Sequence, residues 1–187
     1  RTSKKKIEGE NMKKENIIID IDDEIAKKVS DVTKDKELNL VEKINDILYY
    51  ALLEEGISVD EVLLTISTAS KEEIRKINNE YRKVDRATDV LSFPIFDKLE
   101  LENIAKQKDE NKKVKELQLG DIILCLDVIE EQSVEYQTGM LRETLYMITH
   151  GICHLLGYDH IEENDKIKMR ALEEKILEKV GVPRREE

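Results

Sequence analysis

All three histidines of this chain lie within eleven residues, in the segment THGICHLLGYDH. His150 and His154 are four residues apart, so on an α-helix they lie one turn apart on the same face. Gly157 follows, and a glycine at a helix end can turn the chain back and bring His160 to the helical pair. Three neutral imidazoles that converge on one point form a zinc-type site with a fourth position open for water. The segment therefore predicts a metal site built on a helix and the turn after it.

The spacing of the histidines and the glycine is that of the metzincin peptidases, H-E-x-x-H-x-x-G-x-x-H. Gly151 stands at the position of the glutamate, which in those enzymes is the general base for peptide cleavage. The metal ligands are therefore kept while the peptidase base is missing. Cys153 lies on the same helix, and a buried apolar role fits a single cysteine better than metal ligation, because closed structural zinc sites usually have four protein ligands.

Apolar residues along the rest of the chain follow strand and helix periods in turn. The pattern predicts the order β-α-β-α-β, then a charged insert, then β-α-α-α. Ser70 and Glu73 form a capping box, and Gly56 ends an apolar helix stripe. The helix that carries the histidines has an apolar stripe on its opposite side, which predicts that the histidines line a cleft. We expect an α+β fold in which a small mixed four-stranded sheet packs with about five helices, with a zincin-like three-histidine site.

Two segments fall outside this pattern. Residues 22–38 are polar, which favours a loop or a ragged helix start. Residues 97–118 are mostly charged and contain no aromatic residue, glycine or proline, which favours a partly helical excursion or a mobile loop. The chain does not begin with methionine, so residues 1–15 are interpreted as a disordered extension or a cloning remnant. Residues 16–187 then form a single catalytic domain with an insert at about 97–118.

The chain has 40% hydrophobic and 39% charged residues and a net charge of −11. No apolar run approaches the length of a membrane helix, and two cysteines without a disulfide framework fit a reducing cytoplasm. The negative charge opposes nucleic-acid binding, because neutralisation of phosphates drives most of that affinity. A local basic cluster would ease this conflict: Arg75, Lys76, Arg82, Lys83 and Arg86. It is either a nucleic-acid-binding surface, for which Arg75, Lys76, Lys83 and Arg86 are the candidates, or only the solvated face of a helix.

Three stretches resemble the YbeY endoribonuclease family, the bacterial and organellar rRNA maturation factors. The histidine segment is similar to that family's signature H-G-x-x-H-L-x-G-Y-D-H. Residues 77–94, INNEYRKVDRATDVLSFP, resemble its block L-N-x-x-Y-R-x-x-D-x-x-T-D-V-L-S-F-P, and residues 119–125, LGDIILC, resemble its third block. The resemblance covers most of the chain from about residue 60 onward. It departs at Cys153, where leucine is usual, at Ala87, where proline is usual, and in the length of the charged insert.

The resemblance implies a metal-dependent, single-strand-specific endoribonuclease that acts in rRNA 3′-end maturation and in ribosome quality control. It implies that His150, His154 and His160 bind the metal and that Arg82 and His150 act in catalysis. One zinc ion is expected, with another divalent transition metal such as nickel as an alternative, because imidazole suits several of them. The implied partners are single-stranded rRNA, the small ribosomal subunit and its assembly factors, with neither DNA nor a membrane.

The expected chemistry follows from the metal and the substrate. A three-histidine metal with an open position lowers the pKa of bound water from 15.7 to about 7, so a phosphodiester can be attacked without a carboxylate base. A phosphate substrate also needs a cation for its developing charge, and the fork of an arginine such as Arg82 matches phosphate oxygens. Asp159, beside His160, either orients a ligand imidazole or caps the turn. Asp89 and Asp121 are further carboxylate candidates.

Two other functions stay open at this point. A metallopeptidase would use the same three ligands, but Gly151 removes its base. A non-catalytic ribosome assembly factor with a structural metal would not cleave RNA, and its association with ribosomes would survive loss of the histidines.

Overall fold

The computed structural model of the protein describes residues 13–35, 37–107, 114–160 and 162–183. Within those ranges, and after a 3-10 turn at Lys14–Asn16, it contains four β-strands and seven α-helices. The strands are β1 (Ile17–Ile21), β2 (Glu61–Thr68), β3 (Val90–Pro94) and β4 (Glu116–Leu124). The helices are α1 (Asp23–Thr33), α2 (Leu40–Glu55), α3 (Lys71–Arg82), α4 (Lys98–Lys106), α5 (Leu126–Glu135), α6 (Met140–Leu155) and α7 (Glu163–Lys179).

The four strands form one mixed sheet in the order β1-β2-β4-β3. Strands β1, β2 and β4 run parallel, and β3 is the antiparallel edge strand beside β4. Gly120 of β4 has a φ of +137°, and a Cβ atom there would lie 2.1 Å from the backbone oxygen of Phe93. Only glycine therefore lets the backbone of β3 approach β4 at this point.

Helix α6 is the centre of the main core. It buries eleven of its residues, more than any other described helix, and it contacts the sheet as well as α1, α2, α5 and α7. Leu145, Ile148, Ile152 and Leu155 are fully buried and Leu141 is partly buried, so the structure confirms the apolar stripe predicted opposite the histidines. Because one side of α6 is held in the core, the position of the histidine side is fixed by the packing of the whole domain.

Helix α3 lies beside the edge of the sheet. It begins at the predicted capping box, in which Ser70 and Glu73 each bind the other's backbone. A smaller apolar cluster packs it against β3 and β4. At its other end the ring of Tyr81 lies edge-on against Phe93 of β3, with the ring centroids 5.1 Å apart. The end of α3, and with it Arg82, is thereby held against the edge strand.

The structure confirms the predicted α+β class and its mixed four-stranded sheet, but its described part has seven α-helices instead of about five. Segment 22–38 contains α1, whose first turn is capped by the Asp22 side chain. Segment 97–118 contains α4, which Asp97 caps, and the start of β4. These two helices offer only a short apolar stripe among polar residues, and together they bury only three residues: Ile25, Val29 and Leu101.

Two predicted segments lie only partly within the described residues. Of the extension predicted at residues 1–15, residues 1–12 lie outside the described residues, and so do residues 108–113 of the charged insert. No helix in the described ranges is both long enough and apolar enough to cross a membrane.

Candidate metal centre

The three histidines meet at the end of α6. His150 and His154 lie one turn apart on the helix, and the chain turns at Gly157, with a φ of +80°, before it reaches His160. One ring nitrogen from each histidine lies within 4.8 Å of the other two. The ring centroids are 4.6, 5.1 and 5.5 Å apart. The side chains that the sequence spacing brings together therefore do share one focus.

Hydrogen bonds from other parts of the fold orient two of these rings. Nδ1 of His150 donates to Oε1 of Glu173 on α7 at 2.7 Å. Nδ1 of His154 donates to the backbone oxygen of Tyr158 at 2.9 Å. A carboxylate and a carbonyl can only accept, so both rings carry their hydrogen on Nδ1 and present a lone pair at Nε2. Partners of this kind fix the tautomer and the orientation of metal-binding histidines.

The Nε2 atoms of His150 and His154 face each other at 3.1 Å. In the tautomers just described neither atom carries a hydrogen, so the two lone pairs repel each other unless a cation lies between them. A tetrahedral zinc ion with Zn–N distances of about 2.0–2.1 Å requires ligand nitrogens roughly 3.3 Å apart. The donor atoms and their spacing therefore fit a divalent transition metal.

The electrostatics of the site keep His154 neutral. Burial, and then the neighbouring His150, lower the pKa of His154 to about 4 from an ordinary value of 6.5, although its hydrogen bond to Tyr158 opposes the shift. The positive charge of Arg82 adds a smaller contribution in the same direction. Because a histidine binds a metal through its neutral imidazole, this environment favours ligation.

Arg82 is the last residue of α3, and its side chain is exposed. It lies near enough to His154 for its charge to lower the pKa of that ring. Lys83 and Arg86 are also exposed, and among the described residues none of these three cations forms an ion pair with a carboxylate. Arg82 therefore brings positive charge close to His154, and within the described part of the chain no carboxylate pairs with it.

The other two cations of the predicted RNA-binding cluster are already paired. Arg75 donates two hydrogen bonds to the carboxylate of Asp85, at 2.7 and 2.9 Å. Lys76 lies 2.7 Å from Glu72, one turn earlier on α3. Their charges are balanced within the segment, so they add less to a positive surface than Arg82 does.

Gly151 faces the sheet and not the metal site. It is buried, and a Cβ atom at this position would lie 2.8 Å from Cδ1 and 3.1 Å from Cγ1 of Ile122 in β4. A side chain at position 151 would therefore force Ile122 to shift. It would also point toward the core and away from the three histidines, so this position does not offer a base to the metal site.

Glu173 is a site residue that the sequence prediction missed. Its side chain is only 3% exposed, although carboxylates are rarely buried without a partner. It lies one turn after Met169 and one turn before Ile176, both of which are buried. A glutamate within the apolar stripe of an otherwise charged helix is the signal that identifies such a residue.

The three carboxylates predicted from the sequence are Asp159, Asp89 and Asp121. Asp159 is exposed, and its role in orienting a ligand stays a prediction. Asp89 accepts hydrogen bonds from the side chain of Gln132 at 2.9 Å and from the backbone of Val90 at 2.7 Å, so it holds the start of β3. Asp121 is exposed on β4.

The fold and the site together define an α+β protein with a zincin-like cluster of three histidines that is able to hold a metal ion. Comparison with known proteins identifies the family. The sequence profile of the family described as endoribonuclease YbeY matches residues 24–181. The chain belongs to the YbeY endoribonuclease family, as its motifs predict.

Individual members of the family are similar to this chain over most of their length. A protein named endoribonuclease YbeY from Clostridium botulinum strain Eklund 17B is 42% identical over 156 residues, which cover 80% of this chain and 92% of that protein. The one from Clostridium perfringens strain ATCC 13124 is 43% identical over 152 residues, covering 78% and 89%. The solution structure of TM1509 from Thermotoga maritima has a TM-score of 0.53 and 27% identity, covering 87% of this chain and 89% of that one.

Proposed function

We propose that this protein is a metal-dependent endoribonuclease that cleaves single-stranded RNA and acts in rRNA 3′-end maturation and ribosome quality control. The observation that carries the proposal is the pair of Nε2 atoms that face each other at 3.1 Å, with the positive charge of Arg82 near enough to act on His154. The family name of the relatives supports the reaction class. Residues 16–187 act in this proposal as one catalytic domain with a charged insert.

His150, His154 and His160 would hold one zinc ion, or another divalent transition metal such as nickel. The chemistry that such an ion supplies when bound is activation of water near neutral pH and polarisation of a phosphoryl oxygen. Glu173 and the backbone carbonyl of Tyr158 fix the tautomer of two of the ligand rings and aim their Nε2 atoms at the site. These two ligands are therefore oriented for the ion by the fold.

Arg82 is the proposed phosphate-binding residue and, with His150, the proposed catalytic pair. A guanidinium offers a planar fork that matches two oxygens of a phosphate and stabilises the negative charge that develops during hydrolysis. Lys83 and Arg86 extend the positive charge along the RNA backbone. Arg75 and Lys76 contribute less, because Asp85 and Glu72 neutralise them: the two ion pairs are short.

The peptidase alternative is not favoured, because position 151 cannot hold a base without displacing Ile122. The small ribosomal subunit and its assembly factors are the proposed partners, on the basis of the family resemblance. A cytoplasmic location is proposed on the same basis, and both cysteines of the protein are free and buried, which suits a reducing compartment.

The test compares the purified protein with its His154→Ala variant, with folding of both checked by circular dichroism. Elemental analysis should find a transition metal in the first protein and less in the second. The unchanged protein should cleave a single-stranded RNA, and a chelator should stop this cleavage. It should leave casein intact. The His154→Ala variant should not cleave the RNA. RNA cleavage by a metal-free variant would refute the mechanism. Ribosome association without any RNA cleavage by the metal-loaded protein would favour the non-catalytic assembly factor.

A further inference from the structure

The orientation of His154 depends on a short turn. Its Nδ1 atom donates to the backbone oxygen of Tyr158, four residues later and beyond the end of α6. The ring can therefore aim at the metal only if this carbonyl is held in place. The turn itself is stabilised by backbone hydrogen bonds, from Gly157 to His154 at 2.9 Å and from Tyr158 to Cys153 at 3.0 Å.

The side chain of Tyr158 is held by charged residues from outside the histidine motif. The hydroxyl of Tyr158 donates to Oε1 of Glu55, the last residue of α2. Nζ of Lys98, the first residue of α4, donates to Oε2 of the same carboxylate at 2.6 Å. The carboxylate thus binds both a phenol and an ammonium group.

Lys98 also contacts the turn directly. Its Nζ lies 4.3 Å from the ring centroid of Tyr158 and 3.4 Å from the backbone oxygen of Leu156, to which it donates. A Cβ atom on Gly157 would lie 2.9 Å from Cα of Lys98, so the backbone of α4 rests against the turn. The capping box of Asp97 fixes where α4 begins and hence where Lys98 stands.

Partial burial strengthens the interaction between Glu55 and Lys98. The side chain of Glu55 is 15% exposed and that of Lys98 is 35% exposed, so water screens their charges less than at an open surface. The hydroxyl of Tyr158 is the donor in its bond to Glu55, because a carboxylate can only accept. The three side chains form a network in which each member has a partner.

We propose that Glu55 and Lys98 are positioning residues for the metal ligand His154, acting through Tyr158 and the turn that carries its carbonyl. The charged insert then has a function, because its first helix supplies the lysine that clamps the metal-site turn. The proposal rests on the proposed metal site but concerns residues outside the three histidines. It predicts that substitutions of Glu55 and of Lys98, which lie 43 residues apart in the sequence, have the same effect on metal binding.

The test uses cobalt, whose visible absorption reports the geometry of its ligands. Glu55→Gln and Lys98→Met should each weaken cobalt binding by about tenfold or more, the size of effect expected for groups that orient a ligand, and should change the visible spectrum. Tyr158→Phe keeps the backbone carbonyl and removes the hydroxyl. It should also weaken cobalt binding and change the visible spectrum. The two charge variants provide separate routes to the result if one of them fails to fold.

Matched controls lie next to the proposed residues. Glu54→Gln removes the neighbouring carboxylate, which binds Lys175 and Lys179 instead. Lys106→Met removes a lysine at the other end of α4, which pairs with Glu102. Both should bind cobalt within about twofold of the unchanged protein and give its spectrum.

The outcomes separate the two proposals. Unchanged cobalt affinity and spectrum in folded Glu55→Gln and Lys98→Met would overturn the positioning role, even if both variants melt at lower temperature. Failure of the unchanged protein to bind cobalt, zinc or nickel would instead overturn the metal site on which the proposed function rests.

Discussion

The carboxylate of Glu173 accepts a hydrogen bond from Nδ1 of His150 at 2.7 Å, although the two residues belong to different helices. Glu173 is almost completely buried, and its negative charge also raises the pKa of the nearby Tyr146 to about 12, after the larger effect of burial. A buried carboxylate behind an imidazole makes the opposite ring nitrogen a stronger donor to a cation. The packing of α7 against α6 is therefore part of the metal site.

Glu173→Gln should weaken metal binding by about tenfold, because glutamine keeps the size and one acceptor oxygen but loses the charge behind His150. Isothermal titration with zinc measures the change. Glu174→Gln is the matched control, since Glu174 pairs with Arg142 at 3.0 Å and should leave zinc affinity unchanged. Equal affinity in the two variants would show that Glu173 serves folding alone.

Arg82→Ala should lower the turnover of single-stranded RNA by about 100- to 1000-fold, the usual cost of removing a group that stabilises transition-state charge. Zinc content should not change, because Arg82 is not a ligand. Steady-state cleavage at saturating zinc gives the comparison. Arg75→Ala provides the control: that arginine is neutralised by Asp85, and its loss should change turnover only a few-fold. A similar fall in both variants would assign Arg82 to general RNA attraction.

Zinc at 100 times its dissociation constant should stabilise the folded protein by about 2.7 kcal/mol, because the metal binds only the assembled site. For a chain of this size that corresponds to a rise in melting temperature of about 5–10 °C. A thermal scan with and without a chelator measures it. His154→Ala should abolish the rise, and a rise that persists in this variant would place the stabilising zinc elsewhere.

The cage itself could be predicted from the sequence because helix geometry alone relates His150 to His154. A spacing of four residues fixes their relative position whatever the surroundings, and Gly157 supplies the turn that a third ligand requires. The capping box of Ser70 and Glu73 was predictable for the same reason, since both partners lie within one turn.

The residues that orient the cage were not predictable in this way. Glu173 lies 23 residues from His150, and Lys98 lies 58 residues from Leu156, so only the tertiary fold brings them together. Helix α4 was missed because it lies in a strongly charged segment and buries only Leu101, although the capping pair Asp97 and Glu100 was a usable signal. Local patterns thus predict the ligands, and the packing of α4 and α7 determines how the ligands are held.

The close approach of α6 to the sheet at Gly151 gives the last prediction. Gly151→Ala should lower the free energy of unfolding by up to about 2 kcal/mol, because crowding of Ile122 costs up to about 3 kcal/mol while the gain in helix propensity is only about 1 kcal/mol. Ile122→Val removes the Cδ1 atom that a new Cβ would meet at 2.8 Å. In the Ile122→Val background the same alanine substitution should therefore cost at least about 1 kcal/mol less.

The measurement is urea unfolding of the unchanged protein, Gly151→Ala, Ile122→Val and the double variant. A chelator is present, so that bound metal does not contribute to the stability. Additive effects would mean that the helix and sheet separate freely to admit a side chain. Gly151→Glu extends the argument to function, because a glutamate there would point into Ile122 and away from the histidines. It should unfold at lower urea concentration and should gain no activity on casein, whereas a folded variant that cleaves casein would show that this position can face the metal.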